Sequence, residues 1–212
     1  MSPTTAPLTA PQGAALAKVA CGIEAGAGVA LLCGPAGVGK TTVLEQLASD
    51  PRLAPDELAI RDVATWLVTT GNLPPIVLVD DAHLASDCDL AQLLARAKSR
   101  RPAAAVILAG QGRLLTLITR DRRIEQAVRI RATLLPGSLA DTSALLAATA
   151  PVDAPGFNEA AILAIHEIAG GVPGDVIRLA ELAGLVAPEL AAGLVTADDI
   201  EAVHRRLAPQ AA

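Results

Sequence analysis

The sequence predicts an α/β protein: a parallel sheet covered by helices on both faces, followed by a C-terminal segment made of helices alone. Three observations carry this expectation. Short apolar runs recur at 29–33, 76–79 and 103–109, each bounded by glycine, proline or aspartate, as befits strands buried on both faces. Helical patterns alternate with these runs, which calls for crossover connections and parallel pairing. Beyond Pro136 and Gly137 the β pattern stops and only helical periodicity remains.

Taken in order, Met1–Gln12 is rich in Pro, Thr and Ala and reads as a disordered tail. It lacks the charged start and apolar run of a signal peptide. From Gly13 the pattern is helical: Leu16, Val19, Ala20 and Ile23 share one face, and Gly26 and Gly28 close the helix. Val29–Cys33 is a buried strand. A glycine-rich loop then leads into a helix over about 39–48, broken at Asp50–Pro51. Leu58–Ile60 reads as a short strand and Val63–Val68 as a short helix, stopped by Pro74 and Pro75. Ile76–Val79 is a second buried strand, ending in two aspartates. A helix over 86–98 sets Leu90, Leu93 and Leu94 on one face, and Ala103–Ala109 is a third strand, ended by Gly110.

One arginine-rich helix is expected over 112–127 and a further strand over 130–135. Helices follow over 138–149, 158–169, 174–187 and 197–207. Asn158 serves as an N-cap, Gly170 and Gly171 as a stop, and Thr196 with Asp199 as a capping box. The expected division is a tail at 1–12, a sheet-bearing core at 13–136 and a helical segment at 137–212.

Composition narrows the function classes. Of the 212 residues 52% are hydrophobic, yet Trp66 and Phe157 are the only aromatic residues. The core must be Leu, Ile, Val and Ala, and aromatic platforms for stacking bases are missing. A net charge of −5 gives no general attraction to nucleic acid or to an acidic membrane. Cys21, Cys33 and Cys88 are widely spaced, without metal-ligand spacing, and read as reduced thiols. The apolar runs fall well short of the roughly 20 residues that cross a bilayer. A cytoplasmic protein is expected.

The chemistry lies in Gly34-Pro35-Ala36-Gly37-Val38-Gly39-Lys40-Thr41, which matches G-x-x-x-x-G-K-[ST] at every fixed position. Glycines let the backbone curl so that successive N–H groups point at phosphate oxygens. Lys40 brings positive charge to the β- and γ-phosphates, the Thr41 hydroxyl coordinates magnesium, and the helix that starts here adds its dipole. Thr42 completes the phosphate-binding run. The setting is the required one, an apolar strand running in and a helix running out.

The second element is Ile76-Val77-Leu78-Val79-Asp80-Asp81, an apolar strand ending in a carboxylate, the Walker B arrangement. Asp80 is the expected magnesium partner, acting through water. Asp81 stands where a glutamate commonly orients the attacking water and is one methylene shorter; it is the candidate general base, against the alternative of a carboxylate complementing a helix dipole. His83, close behind, reads as a surface or capping residue. ATP with Mg2+ is the expected ligand pair, because no N-K-x-D motif for guanine occurs in the chain.

In the order of its motifs the sequence resembles the AAA+ ATPases, and within them the branch of general-secretion-pathway A (ExeA-like) and transposition ATPases. The resemblance is carried by Leu31–Thr42, Val77–His83, Val106–Gln111 with Leu114, Arg129–Leu135 and Phe157–Leu182, and covers about residues 14–207. It implies a P-loop core with a C-terminal helical lid, ATP hydrolysis, and a homo-oligomer acting on a protein partner. Gln111 then resembles the polar sensor of the γ-phosphate. Arg129, directly before the fifth strand, resembles the arginine finger that reaches a neighbour's ATP. Where the family's lid turn carries an arginine after its proline, this chain has Gly174, and Arg178 one turn on is the candidate substitute.

Other readings stay open at this point. A nucleotide-gated assembly module with little hydrolysis fits Asp81 and Gly174. A small-molecule kinase shares a P-loop and a lid. DNA binding, as in the transposition relatives, is opposed by the net charge and favoured only by the basic stretch 113–131.

Overall fold

The structure, a computed structural model, describes residues 7–26, 28–53, 58–100, 102–149, 156–186 and 194–207. The chain divides into two compact units: a sheet-bearing unit, Gln12–Leu135, and a helical unit that joins Pro136–Ala212 to Met1–Pro11.

The sheet-bearing unit contains most of α1 (Ala10–Glu24), then β1 (Val29–Cys33), α2 (Lys40–Ala48), β2 (Ile60–Arg61), α3 (Val63–Val68), β3 (Ile76–Val79), α4 (Asp87–Ser99), β4 (Ala105–Gly110), α5 (Gly112–Arg120), α6 (Arg122–Ala127) and β5 (Val128–Thr133). The strands form one sheet in the order β2-β3-β4-β1-β5, every neighbouring pair parallel. Alternate residues of each strand go to opposite faces. Val29, Leu31 and Cys33 pack with Trp66, Leu90, Leu93, Leu114 and Ile118. Ala30 and Leu32 pack on the other side with Val19, Val43, Leu44 and Leu47. Both faces are covered, so β1 and β3 are buried along their whole length and read as continuous apolar runs rather than alternating ones.

β5 lies at the sheet edge. Its Val128, Ile130 and Ala132 are more buried than the arginines and threonine between them, as a charged edge strand requires. At the other end of the sheet, Trp66 is buried and its indole N–H donates to the Leu78 carbonyl at 2.8 Å. The Arg96 guanidinium of α4 donates to the carbonyls of Trp66, Leu67, Thr69 and Gly71, tying down the chain that leaves α3.

The helical unit holds α7 (Leu139–Thr149), α8 (Glu159–Ala169), α9 (Pro173–Val186) and α10 (Ala197–Leu207) around a core of Leu145, Leu146, Ile165, Val176, Leu179 and Ile200. Asn158 caps α8 through its side chain, accepting from the Ala161 N–H, and Gly170 ends that helix at φ 57°. At α10 the Asp199 carboxylate accepts from both the N–H and the hydroxyl of Thr196. No described helix is long and apolar enough to cross a membrane.

Four features depart from the sequence expectation. α1 begins at Ala10, so residues 10–12 of the segment read as a tail are helical, and Gln12 is buried; residues 1–6 lie outside the described part. The helix expected over 112–127 is broken at Asp121, which is extended and whose carboxylate accepts from the Arg123 N–H, starting α6 afresh. The fifth strand starts at Val128 rather than 130. The region after Pro136 is not free of strand: Gly156–Phe157 (β6) pairs in parallel with Leu194–Val195 (β7). Two-residue strands are too short to leave a periodic signal.

Candidate functional site

In a parallel sheet the C-terminal ends of all strands lie along one edge, and ligands gather there. Here β1 runs into the glycine-rich loop, β3 into Asp80 and Asp81, and β4 into Gln111, with β4 between β1 and β3. Topology alone therefore brings the three motifs together.

The loop depends on its glycines. Gly37 and Gly39 have φ of 73° and 91°, in the left-handed region that side chains disfavour. A Cβ on Gly34 would lie 2.8 Å from the Leu134 carbonyl oxygen, and one on Gly39 would overlap the Gln12 side-chain amide. Gln12 is buried and donates from Nε2 to the Val38 carbonyl at 3.0 Å, backing the loop from α1. Pro35, Ala36 and Gly37 are exposed at the loop's crest and Val38 is anchored in the core.

Lys40 opens α2 and is 7% exposed. Its ammonium donates to the carbonyls of Gly34 at 3.1 Å and Pro35 at 2.7 Å, across the loop it serves. Burial pushes it below the ordinary lysine range, and the carboxylates of Asp80 and Asp81 pull it back up. Burial likewise raises the neighbouring Cys33 thiol, against the pull of Arg131 and Lys40, which keeps it a protonated core residue.

The Thr41 hydroxyl donates to Asp80 Oδ2 at 2.6 Å, so the end of the loop and the end of β3 touch directly. Asp80 Oδ1 accepts the Asp81 N–H at 2.8 Å, and the Asp80 N–H donates to the Arg61 carbonyl of β2. A hydroxyl beside a carboxylate is a hard oxygen pair that suits magnesium, which keeps waters and takes phosphate oxygens rather than a full protein cage. No group of three or more His, Cys, Asp or Glu that could hold a metal occurs among the described residues. The glycine cradle, Lys40 and this oxygen pair together fit a magnesium-bound polyphosphate.

Asp81 is in the left-handed conformation, φ 47°, and heads a single 3-10 turn, Ala82–Leu84, without making a side-chain cap. Its carboxylate is exposed, with Oδ1 3.7 Å from His83 Nδ1. His83 is buried rather than superficial. Gln111 occupies the N-cap position of α5, half-buried, with no capping hydrogen bond from its side chain.

The other two expected residues lie on β5 and on α9. Arg129 lies within β5, not before it, at the register of Val29 where β1 and β5 slip by one residue. That is the N-terminal edge of the sheet, opposite the chain's own loop. Arg178 is an exposed residue of α9 in the helical unit, and Gly174 is the second residue of that helix. Conversely, Gln12 and Arg113, whose guanidinium donates to the His83 carbonyl, support the site and carry no motif that would reveal them.

No protein-family model matches this chain, and no curated protein matches it. Solved structures do. The RuvB Holliday junction branch migration motor of Thermotoga maritima superimposes with a TM-score of 0.69 at 16% identity, over 96% of this chain and 73% of that one. A point mutant of the same RuvB gives 0.71 at 16% identity, over 94% and 71%. Hsp104, in a closed-state reconstruction with ATPγS and casein, gives 0.61 at 19% identity, over 84% of this chain and 39% of that one. At such identities the likeness is one of fold: a mixed α/β core with a five-stranded parallel sheet, similar to that of RuvB.

Proposed function

We propose that this chain is an AAA+ type ATPase that binds and hydrolyses Mg-ATP and couples the cycle to assembly or remodelling of a protein partner. The observation that carries the reading is the contact between Thr41 and Asp80, 2.6 Å apart, below a glycine loop that Lys40 closes. Nucleotide-driven remodelling in general is supported by the shared fold with RuvB and Hsp104. The secretion or transposition branch rests on the sequence motifs alone.

In this reading the loop N–H groups of Gly34–Thr42 and the Lys40 ammonium hold the β- and γ-phosphates. Thr41 and Asp80 would hold magnesium, which would supply positive charge to offset that of the phosphates. Asp81 accepts the proton of the water whose oxygen attacks the γ-phosphorus. The bond from that phosphorus to the bridging oxygen breaks, and ADP and phosphate leave. Gln111 senses the γ-phosphate from the end of β4. Arg129, at the N-terminal edge of the sheet, acts on a neighbour's nucleotide, which requires a homo-oligomer. Arg178 and residues 137–212 form the nucleotide-sensing lid of a cytoplasmic enzyme.

The test is phosphate release from ATP across a protein concentration series, beside Lys40→Ala. We expect a rate that rises more steeply than concentration and is lost in the variant. Wild type that binds ATP without releasing phosphate at any concentration overturns hydrolysis. The second reading, a nucleotide-gated assembly module, would then stand; Asp81 favours it, since its carboxylate is shorter than glutamate and exposed.

A further inference from the structure

His83 Nδ1 is a buried side-chain nitrogen with no hydrogen-bond partner. Leaving such an atom unpaired costs stability, and native proteins satisfy nearly all of them. The backbone and Cβ of the residue are closely packed. A Cβ on Gly110 would lie 3.1 Å from the His83 backbone nitrogen and 3.2 Å from its Cβ, so the end of β4 presses against it. Its carbonyl accepts from the Arg113 guanidinium. With its backbone and Cβ packed in place and its buried Nδ1 unpartnered, the His83 side chain has a nitrogen available to a group not yet in contact.

That group is Asp81. Its Oδ1 is 3.7 Å from His83 Nδ1, just beyond hydrogen-bond reach, and its side chain is 58% exposed. The Asp81 backbone is held left-handed and its carboxylate makes no capping bond, so a small side-chain rotation closes the gap. We propose that His83 is a positioning residue: its Nδ1–H donates to the Asp81 carboxylate and fixes the direction in which that carboxylate meets the attacking water. This inference rests on the hydrolysis reading above. It explains how an aspartate serves where a longer glutamate is usual: the second carboxylate oxygen is anchored from behind, and the first is left for water. A freely rotating carboxylate would spend little time aligned, and orientation is a large part of what a general base contributes.

The experiment compares wild type with His83→Leu, His83→Asn and His83→Gln, in the Asp81 and Asp81→Ala backgrounds. Steady-state phosphate release gives kcat and KM, calorimetry gives the affinity for Mg-ATP, and Trp66 fluorescence follows thermal unfolding. We expect His83→Leu to lower kcat about tenfold or more with ATP affinity within about twofold. His83→Asn, whose amide nitrogen falls near the place of Nδ1, recovers most of the rate; His83→Gln, whose amide is one bond further out, does not. In the Asp81→Ala background the His83 substitutions have no further effect. Full activity in His83→Leu overturns the inference and leaves hydrolysis intact. So does a rate loss that persists undiminished in Asp81→Ala, or one that follows weakened ATP binding or a lowered unfolding midpoint. Wild type that binds ATP and releases no phosphate overturns the hydrolysis reading and this inference with it.

Discussion

Replacing Gly39 by alanine tests whether the phosphate-binding loop is built as described. At φ 91° an alanine sits in the left-handed region, which costs about 1–2 kcal/mol. Its methyl group would also overlap the amide of Gln12, a buried side chain bonded to the Val38 carbonyl. Forcing that amide aside loses a buried hydrogen bond and overpacks the site, for roughly a further 1–3 kcal/mol. Gly39→Ala should therefore destabilise the sheet-bearing unit by about 2–5 kcal/mol. Once Gln12 is also alanine the overlap is gone, and Gly39→Ala should cost only the backbone part, about 1–2 kcal/mol. The double-mutant coupling is thus about 1–3 kcal/mol, within the range of contacting residues. The assay is urea unfolding followed by Trp66, the single tryptophan, which is 3% exposed in the core of this unit and reports it specifically. Equal costs of Gly39→Ala with and without Gln12 would refute the buttress. A cost near zero in both backgrounds would refute the left-handed loop itself.

Two further predictions concern parts remote from the motifs. Arg96→Ala should destabilise the same unit by about 2–3 kcal/mol, because four carbonyls lose a charged donor; Arg96→Lys should recover less than half, since an ammonium cannot span Trp66 to Gly71 as the planar fork does. Equal stability of the lysine variant and wild type in urea titrations would contradict this. In the helical unit the Asp141 carboxylate accepts from the Ala10 N–H at 2.7 Å and from Ser138, and these bonds, the Ala10 one foremost, hold it below the usual carboxylate range. A folded pKa lowered in this way contributes stability that is fully present above the unfolded value of about 3.9 and is lost as pH falls through the folded one. Asp141→Ala should cost about 1–2 kcal/mol at neutral pH, and the gap to wild type should close in acid. A gap in circular-dichroism melts that is unchanged down to pH 3 would refute the assignment.

Much of the sheet was legible because its strands are covered on both faces. Val29–Cys33 and Ile76–Val79 stand out as uninterrupted apolar runs whose ends are marked by glycine or aspartate. Caps were legible too: Asn158 and Thr196 act through bonds that span three residues, so their partners are already in view along the chain. The break at Asp121 was not legible, since the arginine-rich sequence around it keeps a helical pattern through an extended residue. Nor was the helical start at Ala10, where Pro7 just before the helix and Pro11 within its first turn read as tail composition.

By itself the sequence determined the loop, the acid-ended strand and the order in which they come, because each motif is a local arrangement of residue types with one chemical use. Tertiary structure decided what depends on contacts between distant segments. It joined Thr41 to Asp80, set Gln12 beneath Gly39 and buried His83 with one nitrogen turned toward Asp81. It also put Arg129 on the far edge of the sheet, because parallel register fixes which end of a strand each residue occupies, and a one-residue slip at Val29 is invisible in either strand alone.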